Sequence, residues 1–387
     1  MNPPHHIEFI DTPAQLEHFC TLLRGVDWIA IDTEFLREKT YYPKFCLLQV
    51  ATGTHAACID PFALETLEPL TEILFEPRVT KVLHSGRQDM EIFYQIWNRL
   101  PAPIFDTQIA APLIGMADQV SYAGLIQEIL GVSLAKTHTR TDWSLRPLSE
   151  AQLRYAADDV IYLGAAYVAL RGKLEALDRL GWLESDFAAL LNPDLYDIKP
   201  AKAWQRIGGS QQLRTRQLAV LQTLAAWREE TSRKQDIPRS WMVKDEVLLD
   251  LARISPKSPE ELRRIRGLEE RTQKRYGNDL CQLIREAQNR TPEPLDVKAR
   301  PPRRSPEQEA LLDLLNAVVR LRAAQHSLNP SVLAGRKDLE QLLDQPEESK
   351  LLQGWRKAMA GEELAAILQG ECQIAVMDGR LHVKHHA

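Results

Sequence analysis

A chain of 387 residues, 44% hydrophobic and 26% charged, has the composition of a soluble globular protein. This length is greater than that of a typical domain with one hydrophobic core, which predicts two or three domains. The absence of a membrane-length apolar run and of a signal-peptide pattern at the start predicts a cytoplasmic protein. The five cysteines are scattered and form no C-x-x-C pair, which argues against zinc knuckles and a disulfide framework.

The charge is distributed unevenly along the chain. Residues 1–195 carry 15 Lys and Arg against 26 Asp and Glu, whereas residues 209–290 carry 17 against 12. The linker 291–304 is basic and residues 305–387 are weakly acidic. If the partner is a nucleic acid, the basic middle segment is its expected electrostatic anchor. The alternative is a basic helical domain whose charge serves only solubility.

The first part of the chain alternates strand and helix signals. The strand candidates are Trp28–Asp32, Phe45–Ala51, Ala56–Ile59, Lys81–His84 and Ile104–Phe105. Short connections between the first three favour antiparallel pairing, and the helix-like segments between the later ones favour parallel crossovers. The pattern predicts an α/β fold with a mixed sheet flanked by helices. From Glu150 to Glu184 the apolar spacing is helical, with glycines as candidate breaks at Gly164, Gly172 and Gly181.

Two proline-marked boundaries, at 192–200 and 290–306, divide the chain. We predict an α/β domain over 1–195 and two small all-α domains over 209–290 and 305–380. The segment Ile237–Ala252 aligns without gaps with Leu328–Leu343, which indicates an internal repeat of one helical unit. Chance similarity between amphipathic helices is the alternative.

Three separate segments place acids in or beside apolar runs. Asp32 and Glu34 are two residues apart, so on a strand both side chains point to the same face. Asp89 follows a short strand and a turn and opens a helix, whose N-terminus tolerates an acid. Tyr155 and Asp159 are four residues apart, so on a helix they lie one turn apart on one face. Their joint spacing predicts one acidic site.

The chemistry of such a site follows from its ligand types. Carboxylate oxygens suit hard octahedral cations such as Mg²⁺ or Mn²⁺, and four carboxylates can hold two of them. A two-metal site supplies an activated water and stabilises the leaving oxygen in hydrolysis. A tyrosine hydroxyl, with an ordinary pKa near ~10, is better suited to positioning water than to acting as a strong base. Each residue alone is more often a solvated, capping or core residue.

These residues resemble the motifs of the ribonuclease D family, in the DEDD superfamily of 3′→5′ exonucleases. The first motif, D-x-E, matches Asp32 and Glu34; the second, V-x-H-x-x-x-x-D, matches Asp89; and the third, Y-x-x-x-D, matches Tyr155 and Asp159. The stretches FCLLQVA, FDTQIAA and DWSLRPL are also similar. The sister subclass has a histidine five residues before the last Asp, where this chain has an arginine. The resemblance is therefore to the tyrosine subclass.

The resemblance covers essentially the whole chain and implies several properties. It implies a ribonuclease H-like fold, metal ligation by Asp32, Glu34, Asp89 and Asp159, and a catalytic role for Tyr155. It also implies trimming of structured RNA, chiefly transfer RNA precursors, from the 3′ end. The segments 209–290 and 305–380 look like the helical HRDC modules of the family. The second is the weaker match, with Val318–Val319 where the first has Trp227–Arg228.

Further residues are candidates for substrate binding. Those in or beside the similar stretches are Gln49, His84, Asp106, Trp143 and Arg146. The densest basic patch of the middle segment consists of Arg263, Arg264, Arg266, Lys274 and Arg275, which we expect to contact phosphates. The Trp143 ring is either a base-stacking platform or a core residue. The Arg146 side chain either contacts a phosphate or forms a salt bridge within the acidic domain.

Three functions compete for this sequence. We predict a monomeric, metal-dependent 3′→5′ exoribonuclease. A DNA 3′→5′ exonuclease is the first alternative, because the same site also serves proofreading; no phosphate loop ending in Gly-Lys-Ser/Thr accompanies it. A non-catalytic nucleic-acid-binding protein is the second, although such a protein would be expected to have lost at least one of the five motif residues.

Overall fold

A six-stranded mixed sheet forms the centre of the first domain in the computed structural model, which describes residues 6–134, 141–294 and 304–385. The spatial order of the strands is β1-β4-β3-β2-β5-β6. Their bounds are β1 His6–Ile10, β2 Trp28–Leu36, β3 Lys44–Ala51, β4 His55–Ile59, β5 Thr80–Leu83 and β6 Ile104–Asp106. The predicted mixed α/β sheet is confirmed.

The strand directions follow the connection lengths. Strands β2, β3 and β4, which short loops join, pair antiparallel. Strand β5, which follows a helical crossover, pairs parallel to β2, and β6 pairs parallel to β5. Strand β1 was not predicted; it pairs parallel to β4 at the edge of the sheet.

Helices cover both faces of this sheet. Their bounds are α1 Pro13–Leu22, α2 Glu68–Leu74, α3 Arg87–Trp97, α4 Thr107–Ala110, α5 Tyr122–Leu130, α6 Glu150–Ala176 and α7 Glu184–Leu190. On one face, Ala30 and Val82 share a core with α6. On the other, Ile29 and Ile31 share a core with α1, α2 and α3. Alternation along β2 therefore separates its side chains into an α6 face and an α3 face.

Helix α6 is continuous through two of the glycines that were candidate breaks. A glycine inside a helix costs about 1 kcal/mol relative to alanine, which a helix of this length tolerates. Packing explains the glycine at position 164, because a Cβ atom there would lie 2.7 Å from the ring of Trp28 on β2. Packing does not explain Gly172, since nothing lies within 4 Å of the position that its Cβ atom would take. The helix therefore packs directly on the strand that carries Asp32.

The rest of the chain contains two helical units. The first consists of α8 Thr215–Gln235, α9 Arg239–Met242, α10 Asp245–Ile254, α11 Pro259–Leu262 and α12 Glu270–Ala287. The second consists of α13 Pro306–Gln325, α14 Pro330–Leu333, α15 Arg336–Asp344, α16 Gly354–Arg356 and α17 Glu362–Leu368. The first three helices of each unit start at one constant offset along the chain, in agreement with the internal repeat. Equivalent core positions, such as Leu248 and Leu339, are buried in both.

The second helical unit ends in strands that were not predicted. β7 Cys372–Met377 and β8 Arg380–His385 form an antiparallel hairpin that begins inside the segment 305–380, which was predicted to be helical. The unit packs on the first domain: the Arg179 guanidinium donates to the carbonyls of Leu113 and His326, each at 2.5 Å. The rings of Trp182 and Trp355 also stack at 4.5 Å. The second unit is thus docked on the first domain.

The domain ranges 1–195, 209–290 and 305–380 stay a prediction. They are compatible with a separate apolar core that runs from Ala203 to Ala287 in the middle of the chain. Most of the second predicted linker, residues 295–303, lies outside the described residues. Among the described helices, none combines the length and apolarity needed to cross a membrane.

Candidate active site

Three of the predicted acids meet where β2 and α6 face each other. Asp32 and Glu34 project from the same face of β2 as Ala30, and α6 carries Tyr155 and Asp159 above that face. One carboxylate oxygen from each of Asp32, Glu34 and Asp159 lies within 4.8 Å of the others. The cluster is partly buried, so its charges are only partly hydrated.

Burial and mutual repulsion raise the pKa of every acid in this cluster. The pKa of Asp32 lies well above its ordinary value, first because of burial and then because of the neighbouring carboxylates, of which Asp89 acts most strongly. Burial and the charges of Asp159 and Asp89 raise the pKa of Glu34 to about 8. Burial, with the nearby Asp158, raises the pKa of Asp159 to about 7. The site favours binding either protons or cations.

Asp89 approaches the site from the other side of β2. It is 7% exposed, and its carboxylate accepts a 2.5 Å hydrogen bond from the hydroxyl of Thr33, which points to the α3 face between the two acids of β2. Burial raises the pKa of Asp89 to about 6, and the Thr33 hydrogen bond opposes that rise. The charge of Asp89 therefore raises the pKa of Asp32. Asp89 itself is not part of the three-carboxylate cluster. Sequence analysis did not identify Thr33 as a site residue. Its position between the two acids of β2, with a side chain on the opposite face of the strand, is the signal that could have done so.

The start of α3, and with it Asp89, is held by another buried acid. The Asp106 carboxylate accepts hydrogen bonds from the backbone N–H groups of Ser85, at 3.1 Å, and Gly86, at 2.8 Å. A Cβ at Gly86 would lie 2.7 Å from the side chain of Leu83, so this turn requires glycine. Asp106 is 1% exposed and is fully engaged in shaping the loop. Asp106 therefore has a structural role.

Two tyrosines border the cluster on the α6 side. Burial and the charge of Asp159 raise the pKa of Tyr155 to about 12, so its phenol keeps its proton at neutral pH. The hydroxyl of Tyr122 donates to the backbone carbonyl of Asp159 and so fixes the turn of α6 that carries this acid. No sequence pattern identifies Tyr122, because its hydrogen-bond partner is a backbone atom distant in the chain.

Gln49 lies directly opposite Asp32 in the β2–β3 ladder and shares its face of the sheet. Its side chain is fully buried, and among the described residues neither its amide nitrogen nor its amide oxygen has a hydrogen-bond partner. A buried amide without partners costs about 1–3 kcal/mol. This unsatisfied amide beside Asp32 supports a role at the site rather than in the core.

The histidine of the second motif has both ring nitrogens engaged. Its Nδ1 lies 2.9 Å from the hydroxyl of Thr107, and its Nε2 lies 3.1 Å from the carbonyl of Val120. Burial lowers the pKa of His84, which keeps the ring neutral at physiological pH. These contacts favour a structural role for His84 over a direct contact with substrate.

For Trp143 and Arg146 the structure favours the non-substrate alternative. The Trp143 ring is 4% exposed and packs 6.3 Å from the ring of Tyr155, so no face is open for a base. The Arg146 guanidinium forms a salt bridge with Asp60, at 2.6 Å, and donates to the carbonyl of Cys46, at 2.7 Å. Trp143 therefore packs against Tyr155, and Arg146 supports it by donating to the Trp143 carbonyl at 2.9 Å.

The basic patch of the first helical unit is on the surface. Its five residues are all exposed: Arg263, Arg264, Arg266, Lys274 and Arg275. Lys274 is paired with Glu270 at 2.7 Å, and Arg275 lies over the ring of Tyr276 at 5.1 Å. The patch is far in sequence from the acidic cluster, and its phosphate contacts stay a prediction.

The residues of the cluster fit a divalent cation. Three carboxylates converge within 4.8 Å, and the charged groups that raise the pKa of Glu34 are themselves acids. Such a donor set is neutralised by a hard cation with oxygen ligands. A cation there would replace the protons that the raised pKa values retain.

Comparisons with known proteins agree with this geometry. A family model described as a 3′-5′ exonuclease matches residues 7–175, and an HRDC domain model matches residues 217–284. Ribonuclease D of Bartonella henselae is 34% identical over 98% of this chain and 94% of its own length. Ribonuclease D of Granulibacter bethesdensis is 38% identical, covering 94% of this chain and 93% of its own.

A solved structure is similar over nearly the same span. The crystal structure of Escherichia coli RNase D, described as an exoribonuclease involved in structured RNA processing, superposes with a TM-score of 0.80. It is 34% identical in sequence and covers 94% of this chain and 99% of its own. The matched span includes both helical units.

Fold, cluster and matched models together define a 3′→5′ exonuclease with at least one appended nucleic-acid-binding module. The chain belongs to the ribonuclease D family. It is therefore a 3′→5′ exoribonuclease, which decides among the three functions considered above. DEDD exonucleases use divalent metals, and the chain shares that dependence.

Proposed function

We propose that this exoribonuclease trims the 3′ ends of structured RNA, chiefly transfer RNA precursors, and that Asp32, Glu34, Asp89 and Asp159 hold two divalent ions, Mg²⁺ or Mn²⁺. The observation that carries the proposal is the convergence of three of these carboxylates within 4.8 Å, with raised pKa values. The relative from Escherichia coli, described as acting in structured RNA processing, supports the substrate class.

When bound, the ions would activate the attacking water and stabilise the leaving 3′ oxygen. Asp32 and Glu34 present their oxygens from a strand, and Asp159 presents its oxygen from a helix; rigid elements fix the distances between them. The Thr33 hydroxyl holds Asp89 in one rotamer. Tyr155, protonated at neutral pH, can orient the water through its phenol. The water oxygen would bond to phosphorus and the P–O3′ bond would break; the O3′ atom would take up the proton lost by the water and become the new 3′ hydroxyl of the RNA, and a nucleoside 5′-monophosphate would leave.

A time course on transfer RNA with a 3′ extension tests this proposal. With Mg²⁺ we expect stepwise loss of the extension, and with EDTA we expect none. A matched DNA with the same 3′ extension serves as the comparison and should be degraded more slowly. Loss of the extension in EDTA, or internal cuts in place of stepwise shortening, would contradict the proposal.

A further inference from the structure

An indole on the first helical unit faces solvent although the residue beside it in the same short helix is buried. Trp241 is 53% exposed, whereas Met242 is 5% exposed. Pro238 begins this turn and Met242 anchors it in the core, so the backbone that carries the indole is held in place. An exposed aromatic ring on an anchored turn is a suitable platform for a flat ligand.

Two concave, basic surfaces meet at this ring. An interdomain cavity of about 700 Å³ lies between the loop after β2 and the first helical unit, and Trp241 lines it together with Arg206 and Lys244. A second cavity of about 600 Å³ lies on the other side, and Trp241 lines it together with Arg271 and Arg275. The basic residues named for both cavities are exposed to solvent.

Some of these cations are not neutralised by the protein. The interdomain cavity is lined by five cations and by three acids, Glu38, Asp245 and Glu246, of which Asp245 is paired with Arg228 at 2.7 Å. Within the described part of the chain, Arg206 and Lys244 form no ion pair. Unpaired cations beside an exposed aromatic ring match the phosphates and bases of a single-stranded nucleic acid.

The interdomain cavity is lined by residues that closely follow the acids of β2 along the chain. Arg37 lines it only three residues after Glu34, and three extended residues span at most about 11 Å. Arg37 also pairs with Glu91 at 2.6 Å, on the same helix as Asp89. One wall of the cavity therefore starts within about 11 Å of Glu34 along the chain.

We propose that Trp241 stacks on a base of the single-stranded 3′ segment of the RNA, upstream of the nucleotide in the active site, while Arg206 and Lys244 contact its phosphates. This inference rests on the proposed function, because it assigns the path by which the RNA end reaches the acidic cluster. The first helical unit then binds unpaired RNA by base stacking as well as by charge.

Binding is measured in EDTA, with a fluorescent unpaired 12-nucleotide RNA, for the wild type, Trp241→Leu, Trp241→Phe and Ile254→Ala. Ile254 is the matched control, since it is 57% exposed, lies in the same unit and lines neither cavity. We expect Trp241→Leu to raise Kd roughly 10-fold, within the ~5- to ~150-fold range for loss of one base stack. Trp241→Phe should retain most of the affinity, and Ile254→Ala all of it.

Hydrolysis in Mg²⁺ on RNAs with 3′ single strands of graded length completes the test. Trp241→Leu should raise KM on long extensions and leave turnover of a dinucleotide unchanged. Equal Kd for Trp241→Leu and wild type in EDTA would overturn the inference, as would equal loss with Trp241→Phe and Trp241→Leu. Absence of hydrolysis by the wild type would instead contradict the proposed function, and the binding result would still decide the inference.

Discussion

The hydroxyl of Thr33 donates a 2.5 Å hydrogen bond to Asp89, across the strand whose other face carries Asp32 and Glu34. One strand thus positions acids on both sides: two by its own side chains and a third by a hydrogen bond. This hydrogen bond explains how Asp89 can raise the pKa of Asp32 although Asp89 is not one of the three clustered carboxylates.

Replacing Thr33 with valine keeps the shape of the side chain and removes the donor. The hydrogen bond lowers the pKa of Asp89, so its loss should raise that pKa and move the acid limb of the pH–rate profile to higher pH. A hydrogen bond to a charged group is worth about 1.5–3 kcal/mol, so we expect activity to fall about tenfold or more. Thr33→Ser should restore the profile; an unchanged profile in Thr33→Val would argue against this role.

The metal-free protein should lose stability as pH rises. The pKa of Glu34 is about 8 in the folded protein against an ordinary 4.5, so between these values the folded state holds a proton that the unfolded state has lost. Unfolding then releases protons, and the free energy of unfolding falls as pH rises through this window. Denaturant titrations in EDTA at several pH values should show this slope, and Glu34→Gln should flatten it. An equal slope in both proteins would contradict the assignment.

Gln49→Leu should separate stability from function. Removing a buried amide that has no partner among the described residues should raise the free energy of unfolding of the metal-free protein by about 1 kcal/mol or more. The same change should lower activity if the amide orients Asp32, its partner across the ladder. Urea unfolding and turnover of RNA are the two measurements. Full activity in a stabilised Gln49→Leu protein would show that the amide serves the core alone.

Two glycines of α6 provide an internally controlled pair. Gly164→Ala would push a methyl group against the ring of Trp28, which should lower the free energy of unfolding by roughly 1–3 kcal/mol. It should also lower activity by shifting the helix that carries Asp159. Gly172→Ala, in open space in the same helix, should raise stability by about 0.5–1 kcal/mol and leave activity unchanged. Similar effects of the two changes would contradict the close approach of α6 to β2.

Local sequence patterns were sufficient for the framework of the site. Strand runs joined by short or helical connections fixed the pairing of β2 with its neighbours, and residue spacing placed Asp32 and Glu34 on one face. The repeat was visible because Ile237–Ala252 and Leu328–Leu343 align without gaps and share their apolar positions. Each of these features depends on residues that are close in sequence.

What the sequence could not supply depends on partners distant in the chain. The contact of Thr33 with Asp89 and the bonds of Asp106 to the turn before α3 require the assembled sheet. The edge strand β1 and the terminal hairpin are short and pair with segments that no local pattern identifies. The burial of Trp143 likewise follows from packing against Tyr155, so local sequence alone does not decide between base stacking and a core position.

The central claim is that the acidic cluster performs metal-dependent cleavage from the 3′ end. The direct test compares wild type with Asp32→Asn on a 5′-labelled RNA in Mg²⁺, with thermal melting of both proteins as the control for folding. We predict a ladder of products shortened one nucleotide at a time by the wild type, and uncut RNA with Asp32→Asn, although that variant melts at or above the wild-type temperature in EDTA. A folded Asp32→Asn protein that shortens the RNA at near wild-type rate would contradict the account.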